Sequence, residues 1–147
     1  MLTGCGMPAN PEQGRAWIAL AAGAGMVDAM VEYAHLLVAG VGGPRHHPQA
    51  LALYRRAAEE GSVAAMFSVG AMLGGGHAVE EDRPAARNWF DRAAQQGHAL
   101  AQLMLARYLA RGLGGEVDLA GARRWYQQAS AQGVGEASAE LAQLGGI

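Results

Sequence analysis

Small, aromatic and glycine positions return along this chain at a fixed spacing. Gly25, Gly61, Gly97 and Gly133 stand 36 residues apart, and the residue types around each of them repeat. Ala29, Ala65, Ala101 and Ala137 form one column, and Ala21, Ala57, Ala93 and Ala129 form a second, four residues before the glycine. A third column carries Trp17, Leu53, Trp89 and Trp125, followed in each case by Ile18, Tyr54, Phe90 or Tyr126. The pattern predicts eight helices in up-down order, at 12–24, 27–39, 48–60, 63–75, 84–96, 99–111, 119–132 and 135–144. Those at 27–39, 63–75 and 99–111 are the A helices of successive units; those at 48–60, 84–96 and 119–132 are the B helices. Gly40, Gly76 and Gly112 follow the A helices, where a residue without a Cβ can take the left-handed conformation that ends a helix. Asp82 and Asp118 precede B helices as candidate N-caps, with His46 in the same column. Pro48 and Pro84 fall in opening turns, where a missing N–H is no loss. Alanine columns allow close helix approach, and the aromatic pairs, the tryptophans included, are expected to fill the wedge between hairpins.

A period of this length is the mark of a stacked architecture, in which no unit buries its apolar face alone. The 147 residues make one array after a lead at 1–11 that is rich in proline and glycine. The domain at 12–147 divides into a half-repeat at 12–24, full repeats at 25–60, 61–96 and 97–132, and a half-repeat at 133–147. A formal net charge of −2, without a run of like charge, offers no field for phosphates, so nucleic acid is not an expected partner. Arginines and glycines interrupt every apolar stretch before it reaches bilayer length, so no membrane span is expected. The single cysteine, Cys5, excludes an internal disulfide framework and a cysteine-based zinc site. It also closes Leu2-Thr3-Gly4-Cys5, which reads like a lipoprotein cleavage box without its apolar leader. The chain as written is expected in the cytoplasm; a leader upstream would make it a periplasmic or envelope lipoprotein instead.

Read as Gly-x-x-x-Ala, an apolar-small pair, Gly, a loop, Asp, Ala, an aromatic pair and Ala-Ala-x-x-Gly, the sequence resembles the Sel-one-like repeat family. The match is fullest from Gly97 to Gln132, through Ala101, Leu105-Ala106, Gly112, Asp118, Ala122, Trp125-Tyr126 and Ala129. The small glycine after the apolar position is kept at Gly70 and becomes alanine at Ala34, Ala106 and Ala142, while Leu37, Leu73 and Leu109 replace a customary tyrosine. The resemblance implies an all-α fold, an α-solenoid in which antiparallel helix pairs wind as a right-handed superhelix. It also implies an adaptor or scaffold role, with no cofactor.

By the same resemblance the A helices line the concave side. Register then places Val31, Phe67, Leu103 and Ala139 in one groove column and Asp28, Ala64, Leu100 and Glu136 in another. Glu32, Ser68, Met104 and Glu140 flank them, followed by His35, Ala71, Arg107 and Gln143, with Arg111 one turn further. The expected partner-binding set is acidic at Asp28 and Glu32, apolar through Phe67, Leu100, Leu103 and Met104, and basic at Arg107 and Arg111. It suits an amphipathic helix or an extended peptide. The competing reading packs Phe67 and Leu103 into the core and leaves the charges as a solvated face. An enzyme reading would rest on the loop from His77 to Asp82, with His46 and His47 one unit earlier. Asp82 is already accounted for as a cap and no metal-ligand spacing is present, so neither catalysis nor a metal is expected. A protein-interaction module is the favoured function. Its alternatives are an inhibitor or immunity-type protein, and a self-assembling element that dimerises through Leu141, Leu144 and Ile147 on the last helix.

Overall fold

The computed structural model describes residues 10–75 and 79–145. Within them run eight helices: α1 (Pro11–Gly23), α2 (Val27–Ala39), α3 (His47–Glu59), α4 (Val63–Leu73), α5 (Arg83–Gln95), α6 (Ala99–Arg111), α7 (Leu119–Ala131) and α8 (Gly135–Gly145). Each lies within two residues of its expected bounds. No strand occurs among the described residues.

The periodic residues act through backbone geometry. Gly25, Gly61, Gly97 and Gly133 hold φ of 93°, 100°, 92° and 95°, a region that side-chain-bearing residues rarely enter. That conformation turns the next N–H back onto the helix just ended. Met26, Ser62, His98 and Val134 donate to the carbonyls of Ala21, Ala57, Ala93 and Ala129 at 3.2, 3.0, 3.1 and 3.1 Å. Each is the six-to-one bond of a Schellman cap, which satisfies a carbonyl the helix leaves open. A second repeated bond closes the A-to-B connection, from the N–H of His46, Asp82 and Asp118 to the carbonyls of Leu37, Leu73 and Leu109. The same three residues cap the B helices with their side chains, accepting from Gln49, Ala85 and Gly121 at 3.1, 3.1 and 2.9 Å. Histidine therefore does in the first unit what aspartate does in the next two. Gly40 and Gly112 end α2 and α6 in the left-handed conformation; Gly76 lies outside the described residues.

The chain forms two compact units, one ending at Ala65 and one beginning at Met66. In the first, α2 packs between α1 and α3. Ala34, Leu37, Ala50 and Ala57 are fully buried there, with Met30 and Tyr54 nearly so. In the second, α6 packs between α5 and α7, and α8 packs on α7. Phe90 is the largest fully buried side chain. Its ring meets Phe67 at 5.7 Å and Tyr108 edge-on at 5.3 Å, spacings at which aromatic pairs attract beyond the area they bury.

The tryptophan column is not uniformly core. Trp17 is 54 % exposed and Trp125 half-buried, whereas Trp89 is buried, with the Arg92 guanidinium 4.3 Å from its ring centroid. The wedge is filled by the neighbouring column, Tyr54, Phe90 and Tyr126, all buried. One position along a helix rotates a side chain by about 100°, enough to move it from the wedge to its rim.

Gly70 lies where Phe90 packs: a Cβ there would stand 2.8 Å from two ring carbons. Alanine would gain about 1 kcal/mol of helix propensity. Overpacking a ring that is itself held by two others costs about 1–3 kcal/mol. Gly70→Ala is therefore expected to lower stability by about 1 kcal/mol, measured by urea unfolding. A rise in stability would show that the ring has room to yield.

Candidate functional site

In the first unit, Asp28 and Glu32 are exposed on α2 and Val31 is half-buried. His35 is exposed as well but engaged: its Nδ1 pairs with the Tyr54 hydroxyl, and the two rings stand edge to face at 5.3 Å.

In the second unit the expected residues separate into three kinds. Leu100 is 48 % exposed, Met104 is half-buried beside it, and Arg111 is exposed one turn beyond Arg107. These positions follow one stripe of α6 at spacings of four, three and four residues, the spacing of a single helical face. Leu103 belongs elsewhere. It is 2 % exposed and part of the core, because α6 lies between α5 and α7, while the 100–104–107–111 stripe stays outward. Phe67 is half-buried, its ring stacked on His98 at 4.8 Å and tilted against Phe90.

Arg107, Glu136 and Glu140 form a third group, engaged with one another. The Arg107 guanidinium clasps Glu140 through Nε at 2.9 and 3.0 Å and Nη2 at 2.5 Å, and reaches Glu136 at 3.3 Å. The Tyr126 hydroxyl donates to the same Glu140 carboxylate at 2.9 Å. One carboxylate thereby joins α6, α7 and α8. Hydrogen bonds from Arg107 hold the Glu140 carboxyl below its ordinary range, and its bonds to Glu140 raise the Arg107 guanidinium. Burial, then the bond to Glu140, pushes Tyr126 up to about 12. The expected basic end of the groove is thus largely neutralised at Arg107, which leaves Arg111 as its exposed cation.

The enzyme candidates resolve into structural roles where they are described. His46 and Asp82 are caps, and Glu81 makes an exposed ion pair with Arg83 at 3.6 Å. His77 and Cys5 lie outside the described residues. Among the described residues no group of three or more His, Cys, Asp and Glu side chains is placed to hold a metal. His98 caps α6: its Nδ1 accepts from the Ala101 N–H at 3.1 Å, and burial lowers its pKa.

Sequence reasoning did not anticipate a cleft of about 550 Å³ on the opposite side of α6. α5 and α7 form its walls, while Leu105 and Leu109 of α6 contribute to its lining. Its signal in the sequence is ordinary, since Asn88 and Arg124 share a column on B helices but no motif sets them apart.

The family model for the Sel1 repeat matches residues 1–26, 27–62, 63–98 and 99–134. The chain belongs to the Sel1 repeat family. Proteins built from Sel1 repeats are generally protein-interaction scaffolds, and the fold is typically non-enzymatic. Two solved structures are similar. One is a protective antigen present in uropathogenic Escherichia coli strains and displaying an SLR fold, 28 % identical with a TM-score of 0.88. The other is a Sel1 repeat protein from Oxalobacter formigenes, 30 % identical with a TM-score of 0.79. Each comparison covers 92 % of this chain, which spans only 29 % and 54 % of the respective proteins. No curated protein sequence matches this one. With these neighbours, the eight helices establish an α-solenoid, and no helix among the described residues is long and apolar enough to cross a membrane.

His98 and Glu140 each make the stability of this Sel1 repeat array depend on pH on the acid side. The folded state holds His98 neutral, since its pKa is lowered from 6.5, so the stability it contributes is complete above that value and is lost as pH falls toward the lower folded value. His98→Asn keeps a capping acceptor and is expected to remove the part of the acid decline that begins as pH falls below 6.5, followed by thermal unfolding. Glu140 acts lower. Its pKa is depressed from 4.5, so its contribution is present above that value and is lost as pH falls through the folded one. Glu140→Gln is expected to cost about 1–2 kcal/mol at neutral pH and to flatten the acid limb. An unchanged acid limb would show that the clasp adds nothing to the fold.

Proposed function

We propose that this chain is a protein-interaction module that engages a partner protein or peptide through the α6 stripe of its second unit. Leu100 is the anchor and Met104 the adjoining apolar contact, with Arg111 and Glu136 as charged flanks. The observation that carries this reading is Leu100, an exposed leucine on a helix whose remaining apolar side chains are largely buried. A single exposed leucine is ordinary on a protein surface. Here it stands beside a half-buried methionine on a helix fixed by α5, α7 and the Glu140 clasp, so little backbone freedom remains to be lost on binding. Methionine adapts to irregular apolar partners. Since Arg107 is already clasped by Glu140, apolar fit is the main source of affinity, and the partner need not be acidic.

Capture from the native organism's lysate tests this, with wild type beside Leu100→Asp/Arg111→Glu, both exposed positions, after circular dichroism shows equal helicity. A partner retained by wild type and weakened about tenfold or more by the variant is expected. Equal capture by both proteins would overturn the assignment of this face.

A further inference from the structure

The cleft between α5 and α7 has the character of a second recognition site. Its volume of about 550 Å³ lies in the range of ligand pockets, roughly 300–1,000 Å³. The α5 wall presents Asn88, Asp91 and Gln95, and the α7 wall presents Arg124, Trp125 and Gln128. The α5 set from Asn88 to Gln95 and, with Gly121 of the same lining, the α7 set from Gly121 to Gln128 each follow helical spacing over seven residues, so each wall is a ridge about 10 Å long, enough for about three residues of extended chain. Trp125 is half-buried, and Leu105 and Leu109 add apolar lining.

Charge narrows the ligand class. Four formal charges line the cleft, two of each sign. Two already have backbone partners: Arg87 donates to the Glu116 carbonyl at 3.0 Å, and Asp118 accepts from the Gly121 N–H at 2.9 Å. That leaves Asp91, whose carboxylate accepts only from the Gln95 amide at 3.2 Å, and Arg124. Among the described residues, the side chains of Asn88, Arg124 and Gln128 make no hydrogen bond or ion pair. A phosphate or a strongly acidic segment would meet Asp91 and Asp118 as well as the arginines, so neither fits. The carboxamides favour a peptide. Each offers both a donor and an acceptor, the same pair that every peptide bond presents and that an extended backbone must satisfy when it leaves water.

We infer that this cleft binds an extended peptide segment in which an apolar side chain, seated on Trp125, Leu105 and Leu109, is flanked by one acidic and one basic residue. The acidic residue meets Arg124, the basic residue meets Asp91, and Asn88 and Gln128 read the backbone. The site is separate from the α6 stripe. Leu105 lies about 160° around α6 from Arg107, so the two faces can be occupied or lost independently.

The test titrates ¹⁵N-labelled protein with the capped tripeptides Ac-Glu-Leu-Arg-NH₂ and Ac-Glu-Gly-Arg-NH₂, following the Trp125 indole N–H and the Asn88 and Gln128 side-chain amides. Saturable shifts with the leucine peptide at about millimolar concentration are expected. They should weaken about tenfold with the glycine peptide and about tenfold in Arg124→Glu, an exposed position whose change leaves the fold intact. Leu100→Asp should bind as wild type does, so that failure of the α6 assignment and failure of this one are told apart. The inference is overturned if no saturable shift appears, or if the glycine peptide or free arginine with acetate shifts the same resonances equally, which would mark a site for small ions. It is also overturned if binding survives Arg124→Glu or is lost with Leu100→Asp.

Discussion

Close approach of helix backbones is the constraint on which this fold rests. Ala50, Ala86 and Ala122 form one column, Ala57, Ala93 and Ala129 continue a second, and Ala65, Ala101 and Ala137 a third; these nine have no exposed surface, while Ala21 and Ala29 at the front of the second and third are half-buried. A side chain longer than one methyl group at these positions would push neighbouring helices apart. Alanine itself contributes little burial. Its role is to let the next column reach across the gap, where Tyr54, Phe90 and Tyr126 each supply roughly 1.5–3 kcal/mol on burial. The glycine turns complete the device, because only a positive φ sends the chain into the next helix while the preceding carbonyls stay satisfied. Period, spacing and wedge are consequences of the same short list of residue types.

Within that shared frame the repeats differ in what faces the aromatic ring. Tyr54 has a hydroxyl, and the A helix answers it with His35. Phe90 has none, and the matching positions are Gly70 and Ala71, small and without a polar group. Tyr126 has one again, with Glu140 and, behind it, Arg107. A buried hydroxyl needs a partner, while a buried phenyl ring is better served by closeness. Polarity at one column therefore varies together with the residue that meets it.

How much of this was legible in the sequence follows from what is periodic. Helix bounds, glycine caps and the aspartate caps recur every 36 residues, so each appeared several times over and was read with little ambiguity. The site residues are where the repeats depart from one another, and a departure appears once. Register alone put Leu103 on the expected groove face. It could not show that α5 and α7 cover that column while leaving Leu100 and Met104 outside. Nor could it show that Arg107 clasps Glu140 and Glu136, since residues 33 and 29 positions apart carry no local signal of pairing. The tryptophan column misled for a related reason: equal spacing proves an equivalent position, not an equal depth.

α6 presents two different faces in the second unit. Its 105–109 side helps line a cleft, its 100–104–107–111 side is open, and neighbouring helices hold it on both flanks. A helix held in this way keeps both faces in place, so a change of side chain on one leaves the other as it was. The Glu140 clasp fixes α6 against α7 and α8, and α7 also forms one wall of the cleft. Rigidity would serve the two proposed sites by the same means, through side chains placed before a partner arrives. In a fold whose core is repeated and interchangeable, specificity has to come from the few columns where repeats disagree. In this unit those columns converge on the outward stripe of α6 and on the ridges of α5 and α7.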